Sequence, residues 1–350
     1  MTNLRDIIDK LYLYNDASDS ELYTLICDRD ESTDEYLFNL SRKVQQKVYG
    51  NKVFIRGLIE ITSFCKNNCF YCGLQRDNEC AKRYRLSKDE ILACCGQGYD
   101  LGFRTFVLQG GEDSYYTDSY LCGLISSIKN DYPDCAVTLS LGEKSYNSYK
   151  LLFDAGADRY LLRHETASKE LYEKLHPSSM SYENRMDCLK NLKSIGYQTG
   201  CGFMVGPPFQ EAEHLVIDLR FIKSFRPHMV GIGPFIPHHN TRFKNYSHGS
   251  FDLTLFLLGL IRLMLPEVLL PATTALGTVD PKGKEKGILS GANVIMPNLS
   301  PLDVRSKYSI YDGKLYTNDE AGEALTLLKR HIKSIGYEIV TSRGDSKIIN

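Results

Sequence analysis

Tryptophan is absent from the 350 residues, and so is any apolar run long enough to cross a bilayer. Met1–Tyr14 carries no basic-then-apolar leader, which sets the expectation of a cytoplasmic protein. Neither sign of charge dominates: 42 Lys and Arg stand against 43 Asp and Glu, a net charge of -1. That balance supplies no basic field for nucleic acid or for an acidic membrane surface, so neither is expected as a partner. Low-complexity tracts and internal repeats beyond an alternation of strand-like and helix-like segments are missing too. Cysteine is scarce only in the last part of the chain. There are 11, an odd and high number, and none follows Cys201. With no leader, this thiol content indicates a reducing, anaerobic setting rather than a disulfide framework.

What is present is an ordinary globular composition, 43% hydrophobic and 24% charged, long enough for one large domain. Residues 1–51 show apolar positions at helical spacing (Leu4, Ile7, Ile8, Leu11) and are expected to form a helical extension. From 52 to 312, β-branched or apolar runs alternate with amphipathic stretches. Candidate strands fall at 53–61, 105–109, 136–141, 159–164, 198–205, 229–235, 269–275 and 293–296, with helices such as 88–98 and 182–195 between them. Eight strands, each followed by a helix, predict an α/β fold, a complete (β/α)8 TIM barrel, with a doubly wound open sheet as the competitor. Residues 313–350 are expected to hold one helix at 319–335 and a loose tail from 343. Polar and glycine-rich turns such as Gly110-Gly-Glu112 and Thr273-Thr274 fall at the predicted strand C-termini, the face where barrels build active sites.

The chemistry centres on Cys65-Lys-Asn-Asn-Cys69-Phe-Tyr-Cys72, a C-x3-C-x2-C run. Thiols this close in a reducing compartment are metal ligands. Three thiolates hold three irons of a 4Fe–4S cube and leave the fourth open to a small chelating molecule. A zinc site with a distant fourth Cys or His is the alternative. The remaining cysteines lack ligand spacing and read as small buried hydrophobes. Adjacent His238 and His239 diverge along a chain and are not expected to share a metal. Alternation along residues 159–165 places Arg159, Leu161, Arg163 and Glu165 on one face and Tyr160, Leu162 and His164 on the other. Charges there require partners or a wet cavity, and arginines suit carboxylate groups. A structural Arg–Glu network closing the barrel is the plainer reading.

The cysteine spacing, with aromatic Tyr71 before its last member, resembles the radical S-adenosylmethionine (SAM) signature. Longer strings narrow the resemblance: Ile59-Glu-Ile-Thr-Ser-Phe-Cys65, Arg159-Tyr-Leu-Leu-Arg-His-Glu-Thr-Ala167, Val230-Gly-Ile-Gly-Pro-Phe-Ile-Pro-His238, Pro271-Ala-Thr-Thr-Ala275 and Gly291-Ala-Asn-Val-Ile-Met-Pro-Asn298. Together they resemble the [FeFe]-hydrogenase maturase HydE family, over about residues 52–311. The resemblance implies one 4Fe–4S cluster on Cys65, Cys69 and Cys72 and SAM on its open iron. It implies SAM contacts from Tyr71, Gln109, Gly110, Gly111, Glu112, Arg163, Glu165, Arg185, Ile232 and Met296. It implies a substrate cavity lined by Thr138, Ser140, Arg159, Thr273, Thr274, Tyr308 and Tyr311; because a carbon radical needs a closed chamber, 300–312 and the N-terminal helices are expected to cap it. The implied reaction is reductive SAM cleavage in assembly of the diiron part of the hydrogenase H-cluster, on a cysteine-bound iron carbonyl cyanide unit supplied by a partner maturase. A related amino-acid mutase of the methylornithine synthase kind, or a non-catalytic iron–sulfur or zinc protein, is the alternative. Two departures stand out: no C-terminal cysteines for an accessory cluster, and Gly110 where a serine is expected in relatives.

Overall fold

A computed structural model describes residues 3–315 and 321–348. The first barrel strand is continuous in direction but changes partners at Arg56. Lys52–Ile55 pairs with Val294–Ile295 on one side and Glu338–Val340 on the other, and Gly57–Thr62 pairs with Thr105–Gly110. Parallel pairing then runs through Ala136–Ser140, Arg159–Leu161, Gln198–Cys201 and Met229–Val230. Single bridges carry it on from Met229 to Leu269 and from Pro271 to Val294, and Leu58 bridges Asn298. The pairing thus returns to the strand where it began.

Local signals explain the crossovers. Helix Lys88–Asp100 starts at a Ser87/Glu90 capping box, and helix Tyr182–Ile195 starts at Ser181 and stops at Gly196 in the left-handed region. The expected 198–205 strand breaks at Gly202, and the second piece, Met204–Val205, pairs with Gly233–Pro234 in a separate two-stranded ladder. The expected 269–275 strand ends early because helix Thr274–Val279 begins there, with Thr273 at the N-cap position but without a side-chain cap.

Helices Leu4–Tyr14, Asp19–Asp28 and Glu31–Tyr49 form the expected extension, but they do not cap the site. Asp19–Asp28 lies against helix Ala212–Phe225, while Leu4–Tyr14 and Glu31–Tyr49 lie against helix Phe251–Met264, which is apolar nearly all round and buried along most of its length. Burying each of its leucines stabilises by roughly 2 kcal/mol, which explains why a cover is needed. The polar anchors of the extension sit at the strand-entry end: Asn15 Nδ2 donates to Leu263 O (2.7 Å), Ser41 Oγ to Ser290 O (2.9 Å) and the Tyr49 hydroxyl to Glu267 O.

The same end is plugged by the C-terminal segment, in place of the expected loose tail. After helix Ala321–Ser334, strand Glu338–Val340 joins the barrel's first strand. The expected helix start at 319 lies outside the described residues. Arg343 then pairs with Asp158 at 2.9 Å and Asp345 with Arg159 at 2.6 Å.

Candidate active site

A cavity of about 340 Å³ opens at the strand C-termini, lined by all three motif cysteines. Their loop is pinned from several sides. Arg83 donates to the carbonyls of Ser63, Leu74, Gln75 and Asn78, so one guanidinium ties the loop's backbone together. Gly73 N–H donates to Ile310 O (2.9 Å). A Cβ on Gly111 would come within 2.2 Å of Phe64 O and 2.6 Å of Cys65 Cβ, so the loop seats itself against bare backbone. A Cβ on Gly110 would meet Thr62 Cγ2 at 2.7 Å, so a side chain at this position requires Thr62 to move.

Burial pushes the three thiols above their ordinary value, Cys72 to about 12. Thiolates here are costly without a neighbouring cation, and bound iron would supply that charge. Tyr71 is fixed behind the loop, its hydroxyl 3.1 Å from His176 Nε2.

Residues 163–165 supply the second group. Glu165 adopts φ +65, rare for a side-chain-bearing residue, while its N–H donates to Gly202 O and its carbonyl accepts from Met204 N–H. Arg163 Nη2 lies 3.2 Å from Glu165 Oε2, yet the approach is not a well-aligned hydrogen bond. Arg163 Nε and Nη2 and Glu165 Oε2 are buried without hydrogen-bond partners. Such orphans are expensive unless a ligand completes them. His164 points the other way: Nδ1 accepts from Gly202 N–H, and Nε2 lies 3.4 Å from the buried Asp218. Asp218 in turn accepts from Ala167 N–H, so this pair fixes the bend. Arg185 donates to Glu143 (2.5 Å) and to Arg163 O (2.6 Å). Three thiols facing orphaned charged donors and acceptors would fit a cluster with a polar, zwitterionic ligand on an open iron.

Of the predicted residues, Gln109, Gly110, Gly111, Glu112, Ser140, Arg163, Glu165, Arg185, Thr273, Thr274, Met296, Tyr308 and Tyr311 line this cavity with Tyr71 and the cysteines. The Glu112 carboxylate is already engaged, by Lys66 at 3.0 Å and Glu143 N–H at 2.9 Å. Three residues lie elsewhere. Ile232 belongs to the packed core, although its glycine neighbours line the cavity. Thr138 is fully buried in register with Arg159, outside the lining. Arg159 needs correction: its guanidinium donates to Thr105 Oγ1 (3.0 Å), Arg343 O (2.8 Å) and Asp345, at the barrel's other end. Four residues of parallel strand rise roughly 13 Å, so sharing a face with Arg163 does not mean sharing its depth.

Sequence reasoning missed the ion pair of Glu60 and Lys314, 2.5 Å apart in the cavity wall, and Met180, whose sulfur lies 3.6 Å from Cys69 Sγ. Glu60 did carry a signal, a carboxylate inside the all-buried run Gly57–Thr62. Lys314 carried none.

The sequence model of the Radical SAM superfamily matches residues 59–222. The [FeFe] hydrogenase maturase subunit HydE of Thermotoga maritima is 43% identical over 332 residues, 95% of this chain and 94% of that protein. The chain belongs to the HydE family of radical SAM enzymes. Within reach of that family, 3-methylornithine synthase of Methanosarcina acetivorans is 31% identical over 83% of each chain. The crystal structure of methylornithine synthase (PylB) superposes with a TM-score of 0.84 at 26% identity, covering 95% of this chain and 97% of that one. The maturase HydG, at 20% identity and TM-score 0.80 over 97% of this chain and 76% of its own, shares the fold. Among the described residues no helix is long and apolar enough to cross a membrane.

Proposed function

We propose that this protein acts in the cytoplasm in maturation of the [FeFe]-hydrogenase H-cluster, cleaving SAM reductively inside a complete (β/α)8 barrel and acting on a cysteine-bound iron carbonyl cyanide unit from a partner maturase. The observation that carries the reading is one cavity shared by the three cysteines and the orphaned Arg163 and Glu165, in a chain 43% identical to a HydE protein. Cys65, Cys69 and Cys72 would hold one cluster, the other cysteines of the sequence lacking ligand spacing. When bound, the cluster supplies the electron that splits SAM into methionine and a 5'-deoxyadenosyl radical. The chain's own part is position and exclusion. Arg163, Glu165 and Arg185 orient the charged end of SAM, and Tyr71 stands beside the cluster loop. Gln109, Ser140, Thr273, Thr274, Tyr308, Tyr311 and Met296 shape the remaining space and keep water from a reactive carbon centre.

The test is in vitro maturation: apo-hydrogenase, the other maturases, SAM and dithionite, with and without this protein. Hydrogen evolution that depends on it supports the reading. Absence of activation together with production of 3-methylornithine would move the protein to the mutase class, in line with its likeness to PylB.

A further inference from the structure

Six charged side chains line the cavity among the described residues, and four stand on the SAM side: Arg163 beside Glu165 with unfilled hydrogen-bonding atoms on both, Arg185 paired with Glu143, and Glu112 paired with Lys66. The other two, Glu60 and Lys314, form a separate pole. Glu60 stands on the first strand of the pairing order, whereas Arg163 and Glu165 follow the fourth, so the two poles face each other across the ring.

The two members of this second pole differ in how fully they are used. Glu60 Oε1 accepts from Lys314 and Oε2 from Asn298 Nδ2 (2.9 Å), while its N–H donates to Ser300 Oγ (2.8 Å). Its acceptors are taken, and it serves as a fixed counter-ion. The Lys314 ammonium has three N–H donors, with Glu60 as its hydrogen-bond acceptor among the described residues and the Tyr308 ring 4.7 Å away. A buried pair of this kind gives little net stability over an apolar one, because desolvation cancels most of the attraction. Its remaining capacity is a cation with an open donor in the wall of a cavity.

We propose that Lys314 binds the carboxylate of an amino-acid-derived substrate, with Glu60 as the positioning residue that holds the ammonium in place. The assignment rests on the function proposed above and names the residue that selects the acid group of its substrate. Lys314 follows the segment that bonds across the cavity mouth through Ile310 O to Gly73 N–H and through Asp312 N–H to Pro237 O. An anion on Lys314 would therefore also hold that segment closed.

Binding of L-cysteine and of L-cysteinamide, measured anaerobically by calorimetry on the reconstituted protein with SAM present, separates the outcomes. The wild type should prefer the acid at least tenfold. Lys314→Met alone leaves Glu60 buried and uncompensated, so the double variant Glu60→Gln/Lys314→Met is the safer probe; it should lose that preference while still binding the amide. Lys314→Arg should retain part of it. SAM-dependent formation of 5'-deoxyadenosine without substrate should persist in every variant. Equal wild-type affinity for acid and amide, or an undiminished preference in the double variant, overturns the role of Lys314 alone. A wild type that cleaves SAM but binds neither probe overturns the proposed substrate class and this inference with it.

Discussion

Gly111 has no room for a side chain, because Phe64 O and Cys65 Cβ already occupy the place a methyl group would take. Gly111→Ala should push the cluster loop outward at a cost of about 1–3 kcal/mol. Lowered iron and sulfide content after anaerobic reconstitution would show it, whereas full iron content would mean the loop can yield. His176 offers a different handle. Burial, helped by the charge of Arg185, pushes its imidazole down to about 3 from the ordinary 6.5. Between those values the unfolded chain takes up a proton that the folded one refuses, so stability falls as pH drops through the window and is flat above it. From pH 6.5 to pH 5 this group alone should remove about 2 kcal/mol. Urea midpoints at pH 7 and pH 5 for His176→Gln should lie closer together than for the wild type; an unchanged gap would assign the acid sensitivity elsewhere.

The strands and their crossovers were the part of the fold that sequence pattern could deliver, since runs of Val, Ile and Leu bounded by caps and glycines are local signals. Helix Tyr182–Ile195 fell on its expected residues for that reason. Depth along a strand is not local, and there the reading of Arg159 failed: alternation assigned its face correctly and its end of the barrel wrongly. Nor could pattern reveal that Glu338–Val340, three ordinary residues near the end of the chain, pair with the first barrel strand. That the three motif cysteines share one cavity was legible from their spacing, whereas the burial of Lys314 was not, because a lone lysine in a loop has no periodicity to betray it. The corrected placement gives its own prediction. Asp345→Asn should leave the buried Arg159 without its counter-ion and cost about 1–3 kcal/mol, read as a lower thermal midpoint with SAM cleavage intact. A variant as stable as the wild type but poor in substrate turnover would return Arg159 to the substrate side.

At the level of the whole molecule, the barrel has a working end and a structural end, and its polar groups divide between them. Thiols, Arg163, Glu165, Arg185 and the Glu60–Lys314 pair gather at one mouth, while Arg159, Arg343, Asp158 and Asp345 seal the other. Removing residues 341–350 should therefore lower the unfolding temperature by several degrees in calorimetry, although Arg343 and Asp345 bind at the end of the barrel away from the cysteines. An unshifted transition would show that the ion pairs at that end are ornamental.

The pairing of Lys52–Ile55 with Glu338–Val340 also bears on how the molecule is made. A ribosome emits the barrel's first strand long before its neighbour on that side, so one edge of that strand stays unpaired through most of translation. Contacts between such distant parts of a chain are the slow ones to form. The barrel floor can set only after Glu338–Val340 has emerged, long after the first strand it pairs with.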